Sequence, residues 1–466
     1  MLFRSDAHSR DTRGIAQHLV QGVPQVQLHR ACSHLGHQLV DQDKALGLLL
    51  NQSIFDSRTF PERCLTKFFL RDFSSMPNKN FAARADELIS SLQQSGQLKP
   101  FYEIDSPMRP VVSIKGRGEV LVLCANNYLG LADHPEVIEA GLQGIRDYGA
   151  GTASVRFICG TLACHTKLEA AIARFVGADA SLSYVSCWNA NEALFQTLVA
   201  AEDAVLSDEL NHASIIDGMR LMVKGVNKQV YRHSDMNQLE EQLKATQSAA
   251  CRWVVSDGVF SMEGDVAHLP ELVNLCEKYQ AILVLDDSHG VGVLGKTGRG
   301  TPEHFGLLGK IDIMTGTLGK SLGGAAGGYI AASQRTIDVL QQRGRPSLFS
   351  NALPATVAYS AGKAIDVIER HPEIVSRLHQ NVKTFRDGLT KLGFHCTASP
   401  TAIIPIMIGD EAEAIRKSKR LMETGIMIIG FGFPVVPRGQ ARLRLQVSAA
   451  LTDAHIQRAL DAFAKL

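Results

Sequence analysis

From about residue 100 the chain alternates short, wholly apolar runs with segments that are apolar at helical spacing. RWVVSDGVF (252–260) is β-branched and apolar, and AILVLDDSH (281–289), IDIMTGTLGK (311–320) and GGYIAA (327–332) repeat that texture. Between the first two, LPELVNLCEKY (269–279) places Leu269, Leu272, Val273, Cys276 and Tyr279 on one helical face. A strand wetted on one side alternates apolar and polar residues, so unbroken apolar runs imply strands covered on both faces. Strands separated by helices then predict an α/β fold with a mainly parallel sheet between helical layers. After about residue 355 the texture shifts. A long helical stretch (355–370) leads into AIIPIMIG, DEAEAIRKSKRLMETG, IMIIG, ARLRLQV and TDAHIQRALDAFAKL, read as a smaller α+β domain. The expected organisation is an extension at 1–75, an arm at 76–125, a large domain at 126–355 and a small domain at 356–466.

Composition narrows the function classes. Forty-eight basic and 47 acidic residues leave a net charge of +1, which gives no basic face for nucleic acid and none for an anionic membrane surface. No apolar run approaches the ~20 residues of a membrane span. The nine cysteines include no C-x-x-C. Cys159 and Cys164-His165 lie close in sequence but lack two further ligands, so no metal site is expected and the thiols are read as buried or loop residues of a reducing compartment. Residues 1–75 contain no basic-then-apolar secretory start, and Asp6, Asp11, Asp41, Asp43, Asp56, Glu62 and Asp72 fit a mitochondrial presequence badly. RCLTKFFLRDFSS (63–75) fits better, with Arg63, Lys67 and Arg71 at helical spacing. Two readings stand: a targeting extension to a cytoplasmic or mitochondrial protein, or residues upstream of a start at Met76, after which MPNKNFAARADELISSLQQSG opens a helix.

GVGVLGKT (290–297) fits the G-x-x-x-x-G-K-[ST] loop of nucleotide hydrolases. Its surroundings argue against that use. A phosphate loop runs from a strand end straight into a helix, whose first amides bind the phosphates. Here DDSH separates strand from loop, GRGTPEHFG follows it, and Asp286-Asp287 would face the phosphates. A hairpin-like loop with glycines at its turns is the expectation.

The strand ends matter more. Ligands of open parallel sheets bind beyond the carboxyl ends of the strands. DDSH is one such end and TGTLGK another, so an acid and Lys320 meet at one edge of one sheet. Lysine forms Schiff bases with carbonyl cofactors, and pyridoxal phosphate needs that lysine together with a carboxylate facing its pyridine nitrogen.

With those residues placed, residues 76–466 resemble the α-oxoamine synthases, pyridoxal-phosphate enzymes of fold type I. The matching stretches run in order. They are CANNYLGLADHPEV (124–137), SVRFICGT (154–161), EDAVLSDELNHASIIDGMR (202–220), DGVFSMEGD (257–265), DDSHGVGVLGKTGRG (286–300), TGTLGKSLGGAAGGY (315–329), LFSNALP (348–354), GFPVVPRGQARLR (432–444) and VSAA (447–450). The resemblance implies a large domain with a mainly parallel seven-stranded sheet, a smaller α+β C-terminal domain, and a homodimer with shared active sites.

It also implies residue roles. Lys320 would carry the cofactor and Asp286 would face its ring nitrogen, with Asp287 the alternative acid. His289 would bond the ring's phenolic oxygen, which Ser261 would share, and His212 would stack on the ring. Ser186, Cys187, Trp188 and Thr317 would hold the phosphate, and Ser350 would reach the phosphate of the neighbouring subunit. Trp188 stands where the family usually has a smaller aromatic. Arg444 and Asn126 would clamp the amino-acid carboxylate, with Arg442, on the same strand face, in reserve. The implied reaction is reversible acyl transfer from acetyl-CoA to glycine, giving 2-amino-3-oxobutanoate and CoA, a step of threonine breakdown. Lys320 would act as base, and His212 would support the developing oxyanion. SVRFICGT and DELNHASIIDG favour that substrate pair over a longer acyl-CoA or another small amino acid. A nucleotide hydrolase built on GVGVLGKT and a scaffold without cofactor are the readings from other classes.

Overall fold

A computed structural model describes residues 78–466 apart from Gly96 and Pro434, so both readings of residues 1–75 lie outside the described residues. The chain divides into two compact units at Gln94/Ser95. Within the first, Lys79–Gln94 is a helix, as the sequence after Met76 suggested, and it leaves Phe81, Leu88 and Ile89 exposed.

The second unit is built on a seven-stranded sheet. In chain order the strands of the unit are β1 (Val111–Ile114), β2 (Gly118–Val122), β3 (Ala180–Tyr184), β4 (Ala204–Asp208), β5 (Asn227–Tyr231), β6 (Arg252–Asp257), β7 (Ile282–Asp286), β8 (Ile313–Thr317), β9 (Gly328–Ala332), β10 (Ile403–Gly409), β11 (Ile426–Met427), β12 (Ile429–Phe431) and β13 (Ala441–Gln446). The large sheet runs β3-β9-β8-β7-β6-β4-β5. β5, β4, β6, β7 and β8 are parallel, while β9 pairs antiparallel with both β8 and β3. Alternate residues of the parallel strands feed two separate cores. Val205, Val255, Val284 and Ile313 pack into one, and Leu206, Val254, Leu283 and Leu285 into the other. That two-sided burial is why the runs are apolar at every position.

The helix at 269–279 is observed as Leu269–Tyr279, burying Leu269, Leu272, Val273 and Cys276, and the long one as Ala355–Arg370. A further helix, Glu373–Lys391, buries Val375, Leu378, Val382, Phe385 and Leu389. Beyond it β10, β13 and β12 form an antiparallel sheet, and β11 joins β1 and β2 in a third. The IMIIG segment is therefore split between two sheets.

The GVGVLGKT segment is not a hairpin, because β7 and β8 on either side of it are parallel, and it does not run straight into a helix as a phosphate loop does. Its amides are filled from within. The Thr297 N–H and hydroxyl donate to Glu303 Oε1 at 3.0 and 2.8 Å, and the Arg299 N–H donates to Glu303 Oε2 at 2.9 Å. The helix that follows is one turn, Thr301–His304, with Pro302 in its first turn where the missing N–H costs little. Beside the loop, Asp287 is fully buried. It accepts from Thr301 N–H at 2.8 Å and from its hydroxyl at 2.6 Å, while Gly258, Gly290 and Gly300 leave the room its carboxylate occupies. Burial raises Asp287 to about 7 despite the Thr301 hydrogen bonds.

Gly300 (φ 92°) and Gly306 (φ 70°) test this packing, since a Cβ at 300 would strike the Asp287 carboxylate and one at 306 would meet nothing within 4 Å. Gly306→Ala should cost only the ~1–2 kcal/mol of a left-handed backbone. Gly300→Ala should cost clearly more in urea-denaturation midpoint, and equal losses would refute the steric account.

Candidate active site

The carboxyl ends of adjacent strands bring the polar residues together. β6 ends in Asp257, β7 in Asp286 and β8 in Thr317, and Asp257 and Asp286 are register partners. These short strands put side chains one turn beyond the sheet within reach of each other, including Lys320, three residues past β8.

Asp286 is buried and held by three neighbours. Asn191 Nδ2 donates to Oδ2 at 2.9 Å, the Ser288 N–H donates to Oδ1 at 3.0 Å, and the Cys187 thiol lies 3.6 Å from Oδ2. Burial would raise its pKa, but the Ser288 and Asn191 hydrogen bonds and the Lys320 charge hold it below the ordinary carboxylate value. Asp257 has weaker support: the Lys320 charge and a hydrogen bond from the His212 backbone act to lower it, but burial and the charge of Asp286 outweigh them and push its carboxyl well up. The same two influences push the Cys187 thiol well up.

Lys320 Nζ lies 2.8 Å from His289 Nε2, and His289 Nδ1 lies 2.8 Å from the Tyr128 hydroxyl. Burial lowers Lys320 to about 8 against the pull of Asp286. Burial and the Lys320 charge push His289 well below the usual imidazole value, so it is neutral.

The remaining sequence-derived residues fall around this cluster. His212 caps the helix Ala213–Arg220, its Nδ1 accepting from the Ser214 N–H at 3.2 Å, and Asn191 Nδ2 reaches Ser214 Oγ at 2.9 Å. His212 is thereby connected to Asp286 through Ser214 and Asn191. Trp188 is 40% exposed and meets His212 edge to face at 6.2 Å. Ser186 caps the helix Cys187–Leu198, accepting from the Asn189 N–H at 3.1 Å. Thr317 Oγ1 donates to the Gly327 carbonyl at 3.2 Å and accepts from the Gly319 N–H at 3.1 Å. Ser350 stands apart from the lysine, lining a cavity with Arg156, Ser183 and Tyr184. Ser261 is half-buried in the loop after β6, and among the described residues no hydrogen bond joins it to His289. A cleft of about 1220 Å³ lies elsewhere, between Lys296 and Thr297 and the helix Glu373–Lys391.

β13 separates the two arginines. Arg442 is spent on the loop after β6, donating to the Met262 carbonyl at 3.1 Å and to Glu263 Oε1 at 3.2 Å. Arg444 is buried with its Nε unpartnered, and its charge reaches Lys320 and His289. A buried guanidinium nitrogen without an acceptor is costly, so the Arg444 Nε is open to an anion. Asn126 sits beside it, against Gln446.

The donor set fits pyridoxal phosphate. Lys320 is largely buried yet, among the described residues, makes no ion pair with a carboxylate, a costly arrangement for an amine unless it bonds a carbonyl carbon. Asp286 is an ionised acid in the same cluster, suited to a protonated ring nitrogen. Sequence reasoning did not single out Asn191, Asp257, Tyr128, Gln446 or His233. Asn191 could have been found four residues after Cys187, one helical turn along the same face.

His233 clamps two loops of the site. Its Nδ1 is 3.1 Å from Asp208 Oδ1 at the end of β4, and its Nε2 is 2.8 Å from Asp265 Oδ2 in the segment carrying Ser261. Burial alone would lower its pKa, but the two aspartates raise it to about 10. Because the unfolded value is ~6.5, the stabilisation is complete below that pH and is lost as pH rises through about 10. His233→Gln should therefore flatten the fall in urea-denaturation midpoint between neutral and alkaline pH. An undiminished fall in the variant would assign the alkaline loss to other groups.

Comparison with known proteins agrees with this chemistry. The family model for class I and II aminotransferases matches residues 118–463. A 2-amino-3-ketobutyrate coenzyme A ligase of Salmonella typhimurium is 44% identical over 380 residues, spanning 81% of this chain and 95% of that protein. An 8-amino-7-oxononanoate synthase of Symbiobacterium thermophilum is 45% identical over 381 residues, spanning 82% and 96%. Among solved structures, SPT with its PLP internal aldimine superposes with a TM-score of 0.78 at 30% identity, covering 82% of this chain and 97% of that one.

Proposed function

Since the chain belongs to the class I and II aminotransferase family, among its α-oxoamine synthases, we propose that it is a pyridoxal-phosphate-dependent acyltransferase that interconverts glycine plus acetyl-CoA with 2-amino-3-oxobutanoate plus CoA. The observation that carries the reading is one cluster containing a half-buried lysine without a carboxylate partner among the described residues, an ionised aspartate and an arginine with an open Nε. The name of the Salmonella relative supports the substrate pair.

Bound at Lys320, pyridoxal phosphate supplies an electron-accepting ring. Asp286 keeps a proton on the ring nitrogen, and Asn191 and Ser288 keep Asp286 ionised for that task. His212 would lie over the ring, and Trp188 meets the His212 ring edge to face. His289 and Ser261 serve the phenolic oxygen. Ser186, Cys187, Trp188 and Thr317 take the phosphate at the start of the helix Cys187–Leu198, where the free amides favour an anion. Arg444 and Asn126 fix the glycine carboxylate, which presents one Cα–H to Lys320. Once the glycine amine has taken its place on the cofactor, the freed Lys320, with a pKa of about 8, would be partly unprotonated near neutrality and could remove that proton. His212 would stabilise the oxyanion formed from the thioester.

We also propose a homodimer in which Ser350 completes the partner's phosphate site. The short helices Arg156–Cys159 and Arg345–Phe349 pack together near Ser350 and expose Phe157, Ile158 and Phe349, apolar surface that a partner would cover.

Thiol release from acetyl-CoA by the cofactor-loaded protein should depend on glycine and vanish in Lys320→Ala. Coloured protein with no release would instead favour a longer acyl-CoA, the reading that similarity to the oxononanoate synthase supports. Arg444→Lys, which loses the two-pronged contact, should raise the KM for glycine ~10–100-fold, the equivalent of charged hydrogen bonds of about 1.5–3 kcal/mol. An unchanged KM would move the carboxylate site elsewhere.

A further inference from the structure

Four buried side chains beyond Lys320 form one continuous hydrogen-bonded path to the carboxylate receptor. Lys320 Nζ meets His289 Nε2 at 2.8 Å, His289 Nδ1 meets the Tyr128 hydroxyl at 2.8 Å, and that hydroxyl meets the Gln446 side-chain amide at 2.9 Å. The Gln446 amide in turn meets Arg444 Nη2 at 2.9 Å and the Cys124 carbonyl. Tyr128, His289, Gln446 and Arg444 are all buried.

The two ends of this path dictate its direction. A guanidinium can only donate and a carbonyl can only accept. Gln446 must therefore turn Oε1 to Arg444 and Nε2 to the Cys124 carbonyl, the orientation that satisfies both neighbours. Oε1 then also faces Tyr128 and the Asn126 side-chain amide, which must turn its nitrogen toward it, so the tyrosine hydroxyl donates to Oε1. With its hydrogen committed, the Tyr128 oxygen can only accept from His289, which fixes the proton on Nδ1. Nε2 is left with a lone pair, and it accepts from Lys320. Every hydrogen along the path is assigned without two donors meeting. A neutral imidazole is required, in keeping with the lowered pKa of His289.

We propose that, while Lys320 carries a free amine, Gln446 and Tyr128 are positioning residues that fix the tautomer of His289, so that Arg444 and Lys320 are linked through one directed chain of hydrogen bonds. Neither residue touches the reacting atoms. Their task is to keep His289 Nε2 an acceptor toward Lys320 and to hold the Arg444 fork in place while its Nε stays open. The roles of Arg444 and Lys320 rest on the proposed function, whereas the hydrogen-bond direction rests on geometry alone.

Nitrogen-15 NMR of imidazole-labelled, cofactor-free full-length protein tests this, with the His289 signal assigned by its loss in His289→Asn. The wild type should show Nδ1 protonated and Nε2 bare. Tyr128→Phe and Gln446→Leu each remove a link and should lose that single tautomer. A wild type protonated at Nε2, or a tautomer unmoved in both Tyr128→Phe and Gln446→Leu, overturns the proposal. If one of these variants fails to fold, the other and the wild-type spectrum still decide, because each variant removes a link by itself. Absence of glycine-dependent thiol release with the expected spectrum would defeat the proposed function and leave this assignment standing.

Discussion

An ionised carboxylate buried at the edge of a parallel sheet is the constraint on which the site depends. Taking a charge out of water costs several kcal/mol unless hydrogen bonds and opposite charge replace the lost solvation. Asp286 receives both, from Asn191, Ser288 and Lys320. Each contribution comes from a different element: a helix, the turn after β7 and the turn after β8. The sheet must therefore be assembled in register before the charge can be tolerated. That accounts for the depth of burial of β6, β7 and β8, whose apolar residues fill cores on both faces.

The acids of the site show how strongly surroundings decide protonation. Asp286, Asp257 and Asp287 are close in space and similar in burial, yet only Asp286 is held ionised. Asp257 lacks donors for its Oδ1, and Asp287 is committed to Thr301 within a ring of glycines. The resemblance favoured Asp286 over Asp287, and the geometry supplies a physical reason: Asp287 is enclosed and raised to about 7, so it is only about half ionised at that pH.

What was legible in the sequence was local or periodic. The helices Leu269–Tyr279 and Ala355–Arg370 follow from apolar spacing, and Lys320 and Asp286 follow from their place at strand ends. The reading of GVGVLGKT as no phosphate loop was sound, but the hairpin expectation failed because parallel strands flank it. What stayed hidden depends on residues far apart in the chain. Tyr128 and Gln446 are 318 positions apart, and nothing near either one announces the other. Arg442 and Arg444 are equivalent by strand alternation. Only the loop after β6, which engages Arg442 through Met262 and Glu263, tells them apart.

The loop that imitates a nucleotide site is saturated from within. Glu303 supplies carboxylate oxygens to the amides and hydroxyl that a phosphate would need, and it is tethered only six residues from Thr297. A group held so close acts at a far higher effective concentration than a solute can reach. Any free anion would have to evict a resident competitor that cannot diffuse away. The loop therefore keeps its shape whatever the supply of nucleotide, and a sequence pattern that elsewhere signals a receptor here describes one already filled by its own chain.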